Sequence, residues 1–276
     1  MTAYEKVCAA RSEDRPTALS YIKNIFTDFF ELHGDRAFAD DPAIVAGLAR
    51  LGGMPVTVIA LERGTDAKDR AARNSGCAHP EGYRKALRLM KQAEKFHRPV
   101  VCLVDTAGAY CGVGAEERGQ AQAIAMGLME MMDLKVPTVS ILIGQGISAG
   151  ALALAVADRV WMLENAVFSP ILPEDAAELV WEDASRAEEA SEALKLTAQD
   201  LKEMGIVDCI FAEPEAPQTQ EEEAAEEEDE PADPFAPMYA QLKAALLEQF
   251  AASFALSDEE RIRLRREKFR SIGTPT

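Results

Sequence analysis

No pair of cysteines spaced C-x-x-C occurs in the 276 residues, and the five cysteines, at positions 8, 77, 102, 111 and 209, are an odd number. Both facts argue against a disulfide framework and a zinc ribbon, so a reducing cytoplasm and no metal on this chain are expected. Long apolar runs are also missing. The longest, Ala151 to Ala157, is far below the roughly 18 to 20 residues that a bilayer-spanning helix needs. The first fifteen residues mix charges throughout and hold no apolar signal-peptide core, which predicts a soluble, unexported protein with no membrane partner. Positive charge is scarce, with 29 Lys plus Arg against 47 Asp plus Glu. Eleven of those acids lie between Glu213 and Asp233, where there is no base, and without that stretch 36 acids face 29 bases. Nucleic acid is therefore a poor expectation as partner.

What is present suffices for a core. Hydrophobic residues make up 48% of the chain, enough at this length for one large domain or two small ones. Ala18 to Leu32 carries Leu19, Ile22, Ile25, Phe26, Phe29 and Phe30 at helical spacing and predicts an amphipathic helix. Met54 to Leu61 reads as a strand, and Pro80 to His97 as a helix with Tyr83, Leu87, Met90 and Ala93 on one face. The pattern recurs twice. Pro99 to Val104 and Val136 to Ile143 are short continuous apolar runs, as for strands buried on both faces, and each leads through a Gly-rich loop into a helix. Asp158 to Leu163 is a further strand, with helices following to Gly205. Strands alternating with helices predict an α/β domain. Residues 213 to 237, with their Glu runs and five prolines, predict a disordered linker. The chain recovers at Met238 to Phe254, where Tyr239, Leu242, Ala245, Leu246 and Phe250 form a stripe that must dock, and it closes with the basic Arg261 to Arg270.

Two Gly-rich loops, Asp105 to Gly114 and Gly144 to Gly150, each follow a buried strand and open a helix. Backbone N–H groups at such helix starts are unpaired and can hold an anion or a developing oxyanion. The second loop contains Gly146-Ile147-Ser148-Ala149-Gly150, formally the G-x-S-x-G of a nucleophile elbow. The hydrolases with that elbow place the catalytic histidine after the serine, yet His33, His79 and His97 all precede Ser148. A serine hydrolase is thus the lesser expectation. From Arg63 to Arg98 ten bases face four acids. Arg84, Lys91 and Lys95 read as ion pairs on solvated helix faces, and Arg63, Lys68, Arg70 and Arg73 as candidate contacts for a phosphate-bearing ligand such as a coenzyme A tail.

The segments Pro80-Glu81-Gly82-Tyr83-Arg84-Lys85-Ala86-Leu87-Arg88-Leu89-Met90, Asp105-Thr106-Ala107-Gly108-Ala109-Tyr110 and Gly114-Ala115-Glu116-Glu117-Arg118-Gly119-Gln120 closely resemble the carboxyltransferase alpha subunits of bacterial acetyl-CoA carboxylase. The likeness runs from about Thr17 to Phe211 and resumes in the C-terminal helix and Arg266 to Gly273. It implies a crotonase-like spiral of ββα units with flanking N- and C-terminal helices. The domains it implies are a carboxyltransferase domain over residues 1–212, the acidic linker over 213–237 and a helical extension over 238–276. It further implies transfer of the carboxyl group of carboxybiotin, borne on a biotin carboxyl carrier protein loaded by biotin carboxylase, to acetyl-CoA, giving malonyl-CoA for fatty acid synthesis. The implied partner is a zinc-containing beta subunit in an assembly of two alpha and two beta chains.

Such chemistry needs preorganised sites for the biotin ureido oxygen and for the thioester enolate. By resemblance the amides of Gly150 and Ala151 are donors, Gly108 and Ala109 shape the facing loop, and Gly146 and Ser148 touch substrate. The family's usual Gly-Glu-Gly-Gly-Ser-Gly-Gly-Ala-Leu is here Gly144-Gln145-Gly146-Ile147-Ser148-Ala149-Gly150-Ala151-Leu152. Likewise its Asp-Thr-Pro-Gly is Asp105-Thr106-Ala107-Gly108, and its Ser-Pro-Glu-Gly is Leu172-Pro173-Glu174-Asp175. Side chains at Ile147 and Ala149 are expected to narrow or reshape the site. Alternatives on the same fold are a non-catalytic paralogue and a subunit of another biotin-dependent acyl-CoA carboxylase or decarboxylase.

Overall fold

A computed structural model describes residues 1–214 and 233–273. Most of the acidic segment expected to be disordered, residues 215–232, lies outside the described residues. Glu213, placed by its sequence in that segment, is instead packed: its carboxylate meets the Arg15 guanidinium at 2.7 Å, with both side chains buried.

Gly52 and Gly53, left-handed at φ 55° and 88°, form a two-residue turn between β2 (Ile44–Leu51) and β3 (Met54–Leu61). Positive φ at both central positions gives the turn a twist that matches the flanking strands. The two strands pair antiparallel from Leu51 with Met54 out to Ile44 with Leu61. Strand β2 is not among the expected elements, although an apolar run on either side of Gly-Gly is its signal. The helix expected over 18–32 stops early: α2 (Ala18–Ile25) ends at an extended Phe26, and β1 (Thr27–Glu31) pairs antiparallel with β2. An open β2 edge is covered that way, and Phe29 and Phe30 serve a strand as readily as a helix.

From β3 the sheet becomes parallel, through β4 (Val100–Thr106), β5 (Thr138–Ile147), β6 (Arg159–Leu163) and β8 (Cys209–Phe211), while β7 (Val167–Ser169) leaves this order to pair with the far end of β5. All seven residues of β4 are buried, as in a strand covered on both faces. The Gly-rich segment 144–147, expected to be loop, is the last part of β5, because Gly146 pairs both with Thr106 of β4 and with Phe168 of β7. The polar start is also structured: α1 (Ala3–Arg11) opens with a capping box between Thr2 and Glu5.

Helices α4 (Pro80–Lys95) and α6 (Gln120–Asp133) pack on each other, and α11 (Ala236–Phe254) docks on α2 as its apolar stripe requires, with Tyr239 edge-on to Tyr21 at 5.2 Å. The last helix, α12 (Asp258–Ser271), is pinned by Arg265, whose side chain is fully buried. Its guanidinium donates to the carbonyls of Met131 and Leu134 at 2.7 and 2.8 Å, satisfying the end of α6, and meets Asp158 at 2.8 Å. Removing one member of a buried, hydrogen-bonded pair strands the other, at a cost of about 3 to 5 kcal/mol. Arg265→Ala is therefore expected to lower the unfolding free energy by about that amount in urea titrations, and a loss below about 1 kcal/mol would show that α12 is held by something else.

Candidate active site

The chain leaves β4 and β5 side by side, and the two exits face each other. At the end of β5 it turns directly into α7 (Ser148–Leu152), and the turn falls on Ser148 at φ 60°, a left-handed conformation that a non-glycine residue adopts only where its surroundings impose it. Among the described residues no side chain caps the start of α7. The exit from β4 is the turn Thr106 to Gly112, which precedes α5 (Val113–Glu117). Thr106 braces it, its Oγ1 donating to the Gly108 carbonyl at 2.7 Å and accepting from the Gly108 amide at 3.1 Å. The Gly108 N–H is thus already committed, whereas the Ala109 N–H makes no hydrogen bond among the described residues.

Gly150 sits where the two exits touch. A Cβ there would fall 2.5 Å from the Gly108 carbonyl carbon and would overlap the Ala109 nitrogen, so backbone lies against backbone. Helix α7 also borders a cavity of about 310 Å³ lined by the apolar Leu152, Phe168, Pro170, Leu201 and Ile206 together with Ser148, Ala149 and Ser169. Such a concave apolar surface beside a few polar backbone groups is the usual make-up of a small-molecule site.

Beneath the exits lies a layer of buried charge. Asp105, 1% exposed, accepts from the Gln145 amide at 2.9 Å and meets Arg63 Nε at 3.4 Å. Burial pushes its carboxyl up to about 6, against the opposing pull of Arg63 and of the Gln145 amide. Glu62, also buried, accepts from the amides of Leu19 and Gly64. On the α1 side Arg11 Nε donates to Gln145 Oε1 at 3.0 Å, and its two Nη atoms fork onto Glu174 at 2.6 and 3.0 Å, which holds the Glu174 carboxyl below its ordinary range. Glu174 belongs to α8 (Pro173–Trp181).

The structure sets Gly108 and Ala109 against Gly150 and Ser148, with Gly146 and Ala151 adjoining these in the chain. The four bases read as ligand contacts are placed differently from one another. Arg63 is buried, 7% exposed, and its Nη atoms donate to the carbonyls of Ala10, Ser12 and Arg15, so it is a strut and not a ligand contact. Arg70 pairs with Glu13, and Arg73 with Asp69 and the Pro42 carbonyl. Lys68 stays exposed, on α3 (Ala67–Ala72), a short helix within the stretch read as loop. The expected ion pairs of Arg84 and Lys91 are present, with Asp35 and with Glu130 respectively.

Ile147 does not narrow the site: it is buried on the other side of β5, against Val7, Ala10, Val167 and Leu196. Ala149 does face the cavity. Ser148 Oγ has no hydrogen-bond partner among the described residues, and no histidine reaches it, which leaves the elbow reading without its base. His79 stacks on Tyr110 at 4.0 Å. The sequence reading passed over Asp105 as a chemical group, and its signal was a lone acid closing a run of buried strand residues.

The raised carboxyl of Asp105 has a definite sign in stability. A native state that holds its proton up to about pH 6, where the unfolded chain releases it near 4, loses stability as pH rises between those values, by about 3 kcal/mol for two units. The wild type is therefore expected to lose about that much relative to Asp105→Asn between pH 4 and pH 7 in denaturant titrations. A difference independent of pH would mean that Asp105 titrates normally.

Among solved structures the chain is similar to the transcarboxylase 12S hexamer core, with TM-score 0.66, 20% identity, 90% of this chain covered and 44% of that one. It is also similar to the beta subunit of Pseudomonas aeruginosa geranyl-CoA carboxylase, with TM-score 0.62, 16% identity, and 95% and 46% covered. The chain spans less than half the length of these two. At such identities the likeness concerns the fold, which is that of the crotonase-like carboxyltransferases. In sequence, the family described as acetyl co-enzyme A carboxylase carboxyltransferase-like matches residues 1–273. The acetyl-coenzyme A carboxylase carboxyl transferase subunit alpha of Ruminiclostridium cellulolyticum is 54% identical over the full length of both chains. The subunit alpha of Listeria monocytogenes serotype 4a is 52% identical over 99% of this chain and 82% of its own. The chain belongs to the acetyl-CoA carboxylase carboxyltransferase family, among its alpha subunits.

Proposed function

We propose that this chain is the alpha half of an acetyl-CoA carboxylase carboxyltransferase, forming malonyl-CoA in the cytoplasm together with a zinc-containing beta subunit, in an assembly of two alpha and two beta chains. Biotin carboxylase and the biotin carboxyl carrier protein complete the system. Among the described residues no helix is long and apolar enough to cross a membrane. The observation that carries the reading is the contact of the two exits at Gly150, which leaves the uncapped start of α7 and the free Ala109 N–H on facing loops beside an apolar cavity.

Carboxybiotin supplies the activated carboxyl group. The apolar walls beside Ala149 suit the ring and chain of such a group and exclude water from it. The amides of Gly150 and Ala151, in the first turn of α7, would face the place where negative charge develops on the ureido oxygen and donate to it. No side chain of this site acts as a base, in keeping with a reaction in which the released biotin itself takes the acetyl proton.

The coenzyme A tail must then be held elsewhere than at Arg63, and the beta subunit is the candidate for it.

A reconstitution tests the reading. The chain alone is expected to be inactive and to form malonyl-CoA from carboxybiotin once a beta chain is added. Gly150→Ala pushes the exits apart through a methyl group that has no room, and it is expected to cut turnover roughly a hundred- to a thousandfold, the cost of losing one oxyanion donor, while still copurifying with the beta chain. An assembled Gly150→Ala enzyme of wild-type turnover would refute the assignment.

A further inference from the structure

The start of α7 can hold a developing charge only if something holds α7. On its other edge the end of β5, Gln145 to Ile147, pairs with β7, but the ladder between β4 and β5 is interrupted just before it. That ladder runs in register from Val100 with Thr138 to Val104 with Leu142, then slips, and resumes with Thr106 opposite Gly146. Asp105 fills the slip. Its Oδ1 takes the Gln145 amide at 2.9 Å, so a side chain replaces the missing ladder bond three residues before the turn at Ser148. Gly144 makes the approach possible, because a Cβ there would lie 2.6 Å from the Asp105 carboxyl carbon.

Stability does not explain this acid. Asp105 Oδ2 is buried and makes no hydrogen bond among the described residues, with the cation of Arg63 at 3.4 Å. A buried carboxylate so incompletely satisfied costs free energy that an apolar residue would not. A group that costs stability directly beneath a reaction site is a candidate for work in that site.

We propose that Asp105 is a positioning residue, which by accepting the Gln145 N–H fixes the end of β5 and thereby sets the amides of α7 against the Gly108–Ala109 turn. The catalytic part of this inference rests on the carboxyltransferase function proposed for the chain; the positional part does not. The acceptor oxygen is what matters, so asparagine, which keeps an Oδ1, serves nearly as well as aspartate.

The test uses the full chain assembled with a beta subunit, as wild type, Asp105→Ala and Asp105→Asn, with turnover and amide hydrogen exchange measured on each. Asp105→Ala is expected to lower kcat by about a hundredfold, the usual effect of misplacing a reacting group by about 1 Å, with KM for acetyl-CoA within about twofold. Asp105→Asn is expected to restore kcat to within about threefold of wild type. Exchange over residues 145–151 should accelerate in Asp105→Ala and not in Asp105→Asn. Wild-type kcat and exchange in Asp105→Ala, or an Asn variant as slow as the Ala variant, overturns the proposal. Should Asp105→Ala fail to assemble, Gly144→Ala decides, since its methyl displaces the carboxylate: reduced kcat with faster exchange supports the proposal, and wild-type values of both overturn it. A wild-type complex that transfers no carboxyl group would remove the carboxyltransferase reading and the catalytic part with it, while the exchange data would still uphold or refute the positional part.

Discussion

The active end of this molecule depends on one approach of backbone to backbone, that of Gly150 to Gly108 and Ala109, at a spacing that admits no side chain. Two successive strand-turn-helix units are joined there, and each alone would be an ordinary turn. Brought together, they leave amides at the start of a helix opposite a free amide on the neighbouring turn. The strained φ of Ser148 follows from the same approach, because the chain must pass from strand to helix with no intervening residue if α7 is to begin beside the facing turn. Strain of this kind persists where the surrounding structure over-determines it.

That surrounding structure is largely polar, and deeply so. The pairs of Arg15 with Glu213, Arg63 with Asp105 and Arg265 with Asp158 are all buried or nearly so. Buried pairs seldom add much stability over an apolar replacement. What these arginines do is satisfy backbone carbonyls: Arg63 gathers those at and just after the end of α1, Arg15 takes that of Ile143 within β5, and Arg265 takes those that end α6. Planar forks with several donors can do this where a lysine cannot. The N-terminal helix is thereby tied to β5 twice, through Arg63 by way of Asp105 and through Arg11 by way of Gln145. A segment that reads as a polar tail in sequence is part of the frame that holds the site.

The strands buried on both faces were legible because a short unbroken apolar run bounded by turn residues suits little besides a buried strand, so β3, β4 and β6 fall within about two residues of their reading. Stripes at Tyr239, Leu242, Leu246 and Phe250 likewise announced a docking helix. Edge strands were not legible. Thr27 to Glu31 is half exposed and carries phenylalanines that fit either period, and Val167 to Ser169 is too short to show any period. The glycines of the second loop read as freedom for anion binding, but Gly144 is there to admit the Asp105 carboxylate and Gly150 to admit a neighbouring backbone, which are tertiary facts. Charge was the least legible feature. Arg63 and Arg70 look alike in sequence, and only the fold decides that one is buried among carbonyls while the other lies nearer the surface beside Glu13.

The central claim is that the ureido oxygen of biotin is held at the start of α7. A structure of the chain assembled with a beta subunit and with biotin bound tests it most directly. The account predicts the ureido oxygen within about 2.7 to 3.1 Å of the Gly150 or Ala151 amide, with the bicyclic ring over Ala149. A biotin seated away from α7, with both amides turned to solvent or to another partner, would contradict it.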